Sequence, residues 1–290
     1  MHKHCVLLLA HRSPMQFKRT LGYFLETGSD VYIHVDVKAK IEDFHVPHEN
    51  AHFSEARRDI TWGGFSMVEA TLDLIRTAIA RDDYLTFSLV SGDCYGLRSP
   101  EVFLQALNSS TDIINYELVS PVSDTHRRIS GVFLPDSGIG SLRGDRKFLY
   151  RQLDKETITN MNSIVKVFHG REDFLNNIKY YKGSQWWSLT RESINFVMSF
   201  ISTNHLFVDH FRYSAIPDEA FFQTILMSAE SPFMSKSRRL MFSKWDTSPA
   251  PYTFTSESEL ELLSSTTSLI ARKFDDSSEA VVNGIRDQVW

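Results

Sequence analysis

Two adjacent carboxylates, Asp218 and Glu219, follow Pro217 and precede Phe221 and Phe222. This order is typical of a helix start, where proline is tolerated and an acidic side chain binds free backbone N–H groups. Asp218 is predicted to be that cap. Glu219 points in another direction, and the phenylalanines would hold it, partly buried and ionised, against the helix N-terminus. Glu219 is therefore the candidate general base.

Arg272 and Lys273 are adjacent cations that follow an apolar run. Such a pair is often no more than exposed surface charge. Fixed at the edge of a cleft, it would instead stabilise a diphosphate leaving group, as a divalent ion does in other enzymes.

The sequence offers no recognisable metal site. The Asp-x-Asp pattern, with which many nucleotide-sugar enzymes bind a metal–diphosphate complex, does not occur in the chain. His45, His48 and His52 have helical spacing, but their segment is polar and contains Pro47 and Asn50. Such a segment is a poor platform for a closed ligand shell, so we interpret them as surface histidines.

Gly92, Cys94 and Gly96 have the spacing of a nucleophile elbow and follow a predicted strand. A Cys94-dependent α/β hydrolase is therefore the alternative enzyme class. Against it, the residues from Leu97 to Pro100 separate the motif from the next helix, and no oxyanion segment precedes it. The ordinary interpretation of Cys94 is a small buried turn residue.

Trp186 and Trp187 are adjacent in a predicted strand. Successive side chains of a strand point to opposite faces, so one indole can face the core and the other a cleft. An indole in a cleft is suited to stacking against a sugar ring. Packing of both indoles in the core is the equal alternative.

The hydrophobic pattern predicts the elements that position these residues. Continuous apolar runs, typical of strands buried on both faces, alternate with segments of helical spacing. Strands are predicted at 5–10, 31–35, 84–90, 112–116, 185–190, 240–245 and 269–274, and helices at 15–26, 66–80, 100–107, 191–202 and 214–227. The first half therefore resembles an open, largely parallel α/β sheet built from right-handed crossover units.

Polar residues follow three of the predicted parallel strands. They are His11 with Arg12, Asp36 after the second strand, and the segment that contains Asp93. Ligands of open α/β sheets bind beyond the carboxyl ends of the strands, so these residues are candidates for a binding site. Asp36 is either an ordinary loop residue or an acceptor for a nucleoside base or ribose.

Composition excludes several classes of function. The chain has 290 residues and a formal net charge of −5, without a basic block that would indicate nucleic-acid binding. Its two cysteines, Cys5 and Cys94, have no ligand spacing. The apolar run at 5–10 is too short to span a bilayer and lacks a cleavage site, so we expect a cytoplasmic protein.

The middle of the chain, roughly 120–180, is irregular and rich in charge, and we expect loops and short helices that form one wall of a cleft. Arg127, Arg128 and Lys147 lie there and are candidates to meet an acidic acceptor. Solvated surface charge is the favoured interpretation.

Six segments occur in order along the chain. They are Tyr32-Ile-His-Val-Asp36, Arg58-Asp-Ile-Thr-Trp62-Gly-Gly-Phe-Ser66, Leu89-Val-Ser-Gly-Asp93, Gly183-Ser-Gln-Trp-Trp187 with Leu189-Thr-Arg191, Pro217-Asp-Glu219 with Phe222-Gln-Thr224, and Ala271-Arg-Lys-Phe-Asp275. Each is weak alone. Together they resemble the core-2/I-branching β-1,6-N-acetylglucosaminyltransferase and peptide-O-xylosyltransferase family (glycosyltransferase family 14), from about residue 5 to residue 276.

The resemblance implies an α/β GT-A fold with a Rossmann-like, mixed but mostly parallel sheet, in one domain over 1–290. The nucleotide-binding half would cover about 1–115, the acceptor and catalytic half about 116–276, and a peripheral tail 277–290. It implies inverting transfer from a UDP-sugar without metal or other cofactor. Glu219 would be the base, and Arg272 and Lys273 would bind the diphosphate.

The remaining site residues are assigned by the same resemblance. The donor site would also contain His11, Asp36, Arg58, Trp62, Gly63 and Asp93, and the acceptor site Gln185, Trp186, Trp187 and Asp218. The branching enzymes have a further arginine, for which Arg239 and Lys244 are the candidates here. Xylosyltransferases carry an acidic residue in the segment where this chain has Gln185.

The expected partners are a UDP-sugar and a glycan or glycolipid acceptor, with no nucleic acid. UDP-GlcNAc is the leading donor, and UDP-xylose and UDP-glucuronic acid are alternatives. The chain resembles a bacterial member that acts in surface polysaccharide synthesis, where a lipid-linked acceptor would bring it to the inner membrane face. A non-catalytic glycan-binding module is the alternative outside the enzymes.

Overall fold

The computed structural model describes residues 3–107, 111–131, 133, 178–228, 237–246 and 250–290. Lys147 and most of the irregular segment expected at 120–180 lie outside the described residues. Among those described, no helix is both long and apolar enough to cross a lipid bilayer.

The described strands and helices alternate through the first half of the chain, as the apolar pattern predicts. The strands are β1 (His4–Ala10), β2 (Asp30–Val35), β3 (Ala51–Phe53), β4 (Thr86–Ser91), β5 (Cys94–Gly96), β6 (Glu117–Leu118), β7 (Tyr181–Lys182), β8 (Trp187–Thr190), β9 (Met241–Ser243) and β10 (Ile270–Arg272). The helices are α1 (Pro14–Glu26), α2 (Ile41–Phe44), α3 (Ser66–Arg81), α4 (Pro100–Leu107), α5 (Asp124–Ser130), α6 (Arg191–Thr203), α7 (His205–Arg212), α8 (Phe221–Leu226), α9 (Leu260–Ser265) and α10 (Glu279–Gly284).

The central sheet has the strand order β3-β2-β1-β4-β8. The first four strands are parallel, and β8 runs antiparallel to β4. Every residue of β1 and β4 is buried, which explains the continuous apolar run from Cys5 to Ala10 in β1. In β4 the polar residues Thr86, Ser88 and Ser91 are buried as well. The fold is thus mixed α/β with a mostly parallel sheet flanked by helices, and it is consistent with the expected GT-A architecture.

A second sheet joins the end of the chain to its first half. Its order is β5-β10-β9, with β10 antiparallel to β5 and parallel to β9. The register pairs Arg272 with Cys94. This pairing brings the predicted cation pair next to the carboxyl end of β4, although some 180 residues separate them along the chain.

The order of β2, β1 and β4 places the site. The chain passes from β1 to β2, which lies on one side of β1 in the sheet. Strand β4 lies on the other side of β1. Such a change of direction leaves a crevice beyond the carboxyl ends of the two neighbouring strands, where α/β proteins bind ligands. His11 and Asp93 follow those two strand ends.

Two predicted elements were wrong. Residues 112–116 form no strand, because only Ile113 bridges to Ser188 while the Asp112 carboxylate accepts from the backbone N–H of Thr190 and the hydroxyl of Ser193. The tail expected to be peripheral is packed into the core. Val281, Val282 and Ile285 are buried, and the Trp290 indole donates to the carbonyl of Gly96 and stacks on Tyr95.

Candidate active site

A cavity of about 1050 Å³ opens beside the carboxyl end of β1. Eight of the predicted site residues line it. On the predicted donor side these are His11, Trp62, Arg272 and Lys273, and on the predicted acceptor side they are Gln185, Trp186, Asp218 and Glu219. Residues from five distant segments of the sequence are therefore brought together around one space.

A left-handed turn sets the direction of the Pro217–Glu219 segment. Ile216 has φ 54° and ψ 52°, a conformation that β-branched residues rarely adopt, and it costs about 1–2 kcal/mol. The Ile216 N–H donates to the carbonyl of Gly63 over 2.8 Å, and Gly63 itself has φ 76°. Gly63 is buried and does not line the cavity, so its contribution here is to fix this turn rather than to touch a donor.

The predicted helix over 214–227 is divided. Pro217–Glu219 forms one turn of 3₁₀ helix, and α8 begins only at Phe221, because Ala220 leaves the helical region at φ −140°. Phe221 and Phe222 are buried, as predicted, and they pack on Phe207, Phe211 and Trp187. The carboxylate pair is therefore attached directly to the core.

Glu219 is also held from the strand side. The Gly183 N–H donates to the Glu219 carbonyl over 2.8 Å, and a Cβ on Gly183 would lie 1.8 Å from the carbonyl oxygen of Asn115. Only glycine allows this approach. Gln223 and Thr224 complete the connection, since their side chains bond the carbonyls of Ser184 and Tyr181.

The two carboxylates lie in an environment that favours protonation. Burial, followed by the charge of Glu219, raises the pKa of Asp218 to about 7. Burial also raises the pKa of Glu219, while the cations Arg128 and Lys182 lower it. Arg128 Nη1 lies 3.9 Å from Glu219 Oε2, and the Glu219 side chain is 46% exposed. The net shift of the Glu219 pKa is upward, so burial outweighs the stabilisation of the ionised form that was expected from the helix end. A pKa moved closer to neutral suits a general base.

Asp218 is not the predicted cap. No side-chain cap hydrogen bond occurs at the 3₁₀ turn or at α8, and Asp218 Oδ1 is buried with no hydrogen-bond partner among the described residues. Gln185 Nε2 is also buried with no hydrogen-bond partner among the described residues, and both Asp218 and Gln185 line the cavity. Two buried polar atoms that face a cavity without partners are suited to binding a polar ligand.

Trp186 and Trp187 follow the interpretation in which one indole faces the core and the other a cleft. Trp187 is wholly buried against Phe222 and does not line the cavity, which removes it from the candidate acceptor residues. Trp186 does line the cavity, and the Arg272 guanidinium lies over its ring at 5.2 Å from the centroid. Because Trp186 is 7% exposed, it offers a ligand little of its ring.

Asp93 lies beneath the cavity rather than in its wall. Its carboxylate is 3% exposed and accepts from Arg272 Nε and Nη2, each at 3.2 Å, and from Arg12 Nη2 at 2.8 Å. Burial alone would raise its pKa, but Arg272, Ser91 and Arg12 lower the pKa of Asp93 to about 2. The predicted donor contact by Asp93 is thus replaced by contacts to two arginines.

Two further predicted donor residues point elsewhere. Asp36 is buried, and its carboxylate accepts from the backbone N–H groups of Lys38 and Ile60. Arg58 binds Glu69 and Asp73 on α3. Neither Asp36 nor Arg58 lines the cavity. Asp36 accepts hydrogen bonds from loop backbone N–H groups, and Arg58 links its loop to α3.

Cationic side chains predominate in the cavity lining, and sequence reasoning assigned no role to one of them, Lys182. Six cationic side chains line the cavity against three acidic ones, the cations being Arg12, Arg128, Lys182, Arg239, Arg272 and Lys273, and the acids Glu117, Asp218 and Glu219. Arg128 had been interpreted as surface charge, which was wrong. Arg127 next to it is 77% exposed and pairs with Asp124, as that interpretation predicted.

Of the two candidates for a further arginine, only Arg239 lines the cavity. Lys244 Nζ lies over the ring of Tyr252, 4.2 Å from its centroid. His11 also lines the cavity, where desolvation and the neighbouring Arg12 lower its pKa. The cavity lining as a whole is thus predominantly cationic and suits a multiply charged anion.

Cys94 is fully buried in β5 and does not line the cavity. Burial raises the pKa of its thiol far above the usual range, which is the opposite of what a cysteine nucleophile needs. Within the described ranges, no group of three His, Cys, Asp or Glu side chains could hold a metal ion. His45 and His48 are exposed, and His52 instead pairs with Asp30.

The chain belongs to the Core-2/I-branching enzyme family, whose model matches residues 7–266. This is a glycosyltransferase family, and the chain is accordingly a glycosyltransferase that takes a sugar from a donor to a glycan acceptor. No curated protein matches the chain. The matched segment includes the Gly183 and Glu219 segments but ends before Arg272 and Lys273, so the role of that pair depends on its geometry alone.

Proposed function

We propose that this protein is an inverting, metal-independent glycosyltransferase that uses a UDP-sugar donor. The single observation that carries the proposal is one cavity that combines a raised-pKa carboxylate, Glu219, with a cluster of cations around Arg272 and Lys273. One base and one charged leaving-group site are what a single displacement at an anomeric carbon requires. A glycosidase would need two facing carboxylates that act on the same bond.

In the proposed reaction, Glu219 removes the proton from an acceptor hydroxyl as its oxygen attacks the anomeric carbon. The bond from that carbon to the diphosphate oxygen breaks on the opposite face, and its electron pair stays on the diphosphate. Arg272 and Lys273 stabilise the charge that grows there, which a divalent ion would otherwise do. Side-chain cations thus make a metal unnecessary in this proposal.

The acceptor is proposed to lie along Gln185, Trp186 and Asp218. Asp218 Oδ1 and Gln185 Nε2 are buried polar atoms for which the described residues supply no partner, and sugar hydroxyls would satisfy both. UDP-GlcNAc is the proposed donor, and a glycan or lipid-linked glycan of a bacterial surface polysaccharide is the proposed acceptor. A xylosyl- or glucuronosyltransferase of the same fold is the alternative.

The experiment is a panel of UDP, UDP-GlcNAc, UDP-xylose and UDP-glucuronic acid in EDTA, with thermal shift and UDP release as readouts. We expect UDP and one donor to raise the melting temperature and that donor to release UDP. The Arg272→Ala/Lys273→Ala variant should bind UDP more weakly. Unchanged affinity would remove the proposed role of the pair.

The same panel separates the other classes. A glycan-binding module would bind free sugar but neither bind nor release UDP. A Cys94-dependent hydrolase would ignore UDP-sugars and lose its activity on Cys94→Ala. A requirement for Mg²⁺ or Mn²⁺ would overturn the metal-independent part of the proposal.

A further inference from the structure

One buried carboxylate holds two arginines at the edge of the cavity. Arg272 binds Asp93 through two N–H groups, and Arg12 binds it through a third. Both guanidinium groups also line the cavity, with side chains 20% and 40% exposed respectively. Each arginine therefore keeps N–H groups that a ligand can reach.

The fold brings these three residues together from distant positions. Arg12 lies two residues after β1, Asp93 two residues after β4, and Arg272 at the end of β10. The Phe274 N–H donates to the Asp93 carbonyl over 2.8 Å, which fixes the Asp93 backbone beside β10 before the side chains meet. The position of Asp93 thus determines where both guanidinium groups lie.

The charges of the cluster match a diphosphate. A buried carboxylate is costly to ionise unless cations compensate it, and here the two arginines hold the pKa of Asp93 at about 2. Asp93 neutralises one of them. Arg12, Arg272 and Lys273 together with Asp93 leave a net double positive charge, which equals in size the charge of the diphosphate in a UDP-sugar.

We propose that Arg12 binds the donor diphosphate together with Arg272 and Lys273, and that Asp93 is the positioning residue for both arginines. This assignment rests on the proposed function. As the bond from the anomeric carbon to the diphosphate breaks, the electron pair passes to the diphosphate oxygen, and Arg12 stabilises that charge. The acceptor proton goes to Glu219, so Arg12 takes no part in proton transfer.

The first test compares how Arg12→Gln binds UDP and uridine in EDTA. The Arg12 side chain is 40% exposed and Arg272 still bonds Asp93 through two N–H groups in the variant, so we expect the variant to fold. We expect its affinity for UDP to fall about tenfold or more, as the loss of a charge-assisted hydrogen bond implies, with uridine affinity unchanged. Arg12→Lys should recover part of the loss. Arg76→Gln is the matched control, since Arg76 is 52% exposed and pairs with Asp73 on α3.

The second test is Asp93→Asn, which keeps the shape of the side chain and removes its charge. The donor KM should rise while the acceptor KM stays unchanged, and adding Arg12→Gln should weaken UDP binding less than it does in the wild type. If Asp93→Asn does not fold, Arg12→Gln alone decides the proposal.

Three results would overturn the role of Arg12, and they differ in whether the proposed function also fails. Wild-type affinity of Arg12→Gln for UDP would overturn this assignment and leave the proposed function intact. Equal losses for UDP and uridine would mean a structural role for Arg12. A wild-type protein that binds neither UDP nor any UDP-sugar would overturn the proposed donor class, and this assignment with it.

Discussion

The carboxylates around the cavity are held in two opposite ways. Asp93 is buried, and two arginines and a serine hydroxyl bond it, so its pKa falls to about 2. The Arg128 guanidinium lies 3.9 Å from the Glu219 carboxylate, and burial raises the pKa of both Asp218 and Glu219. Burial is common to both regions, and the cations in direct contact make the difference.

This difference indicates a division of labour. A carboxylate that stays ionised at every physiological pH cannot exchange protons usefully, but it can fix cations in place. A carboxylate whose pKa is raised takes up a proton more readily than an ordinary one, as a base must. Asp93 thus suits positioning, and Glu219 suits base catalysis.

The largest expected effect is that of Glu219→Gln. Removing the base should reduce transfer about 10²-fold or more, while UDP binding stays at the wild-type level because the cation cluster is untouched. Steady-state rates and UDP titration check this, with the exposed Glu192→Gln as control. Full turnover in the variant would mean that Glu219 is not the base and that the two regions do not divide positioning from base catalysis.

Gly183→Ala should produce the next largest effect. The new methyl group would collide with the Asn115 carbonyl and displace the segment after β7 that bonds the Glu219 backbone. We expect a loss of about tenfold or more in kcat, as a small displacement of a catalytic group can cause, with UDP affinity retained. Gly22→Ala is the control, because nothing lies within 4 Å of its new methyl group.

A shift of the pH profile should follow Arg128→Met. Arg128 lowers the pKa of Glu219, so its removal raises that pKa. Because the base must be deprotonated, the acidic limb of kcat/KM should move to higher pH. Arg127→Met removes the neighbouring exposed arginine and should leave the profile in place. A shift of equal size in both variants would point to general electrostatics instead.

The smallest effect concerns stability. A folded-state pKa of about 7 means that Asp218 binds a proton more tightly in the folded than in the unfolded chain. Its contribution is fully present below about pH 4 and is lost as pH rises through about 7. Asp218→Asn should flatten the dependence of the unfolding free energy on pH between 4 and 8. An unchanged dependence in denaturant titrations would contradict the raised pKa.

The sequence predicted those parts of the molecule that depend on local pattern. Apolar runs located β1 and β2, and helical spacing located α1 and α3. Glu219, Arg272 and Trp186 line the cavity because short motifs, recognisable in order, place them there. A residue's place in the cavity was thus predictable where a short motif around that residue is recognisable.

Long-range contacts explain what the sequence did not show. Arg12 was a candidate only through the strand end that precedes it, and its pairing with Asp93 has no local signal. The position of Arg128 depends on a long-range contact, in which its carbonyl accepts from the Ala215 N–H. Asp36 and Arg58 occupy motif segments, yet backbone N–H groups and α3 bind their side chains. The tail was considered peripheral because its sequence is polar, although Trp290 closes the core against Tyr95.

The central claim is a single displacement that inverts the anomeric centre, and one measurement tests it most directly. The α-linked UDP-sugar that binds in the panel can be incubated with the wild-type protein in EDTA, with water as acceptor. Proton NMR then identifies the first anomer released, before mutarotation. The account predicts the β-anomer, formed at a rate that Glu219→Gln reduces about 10²-fold. Initial release of the α-anomer would contradict it.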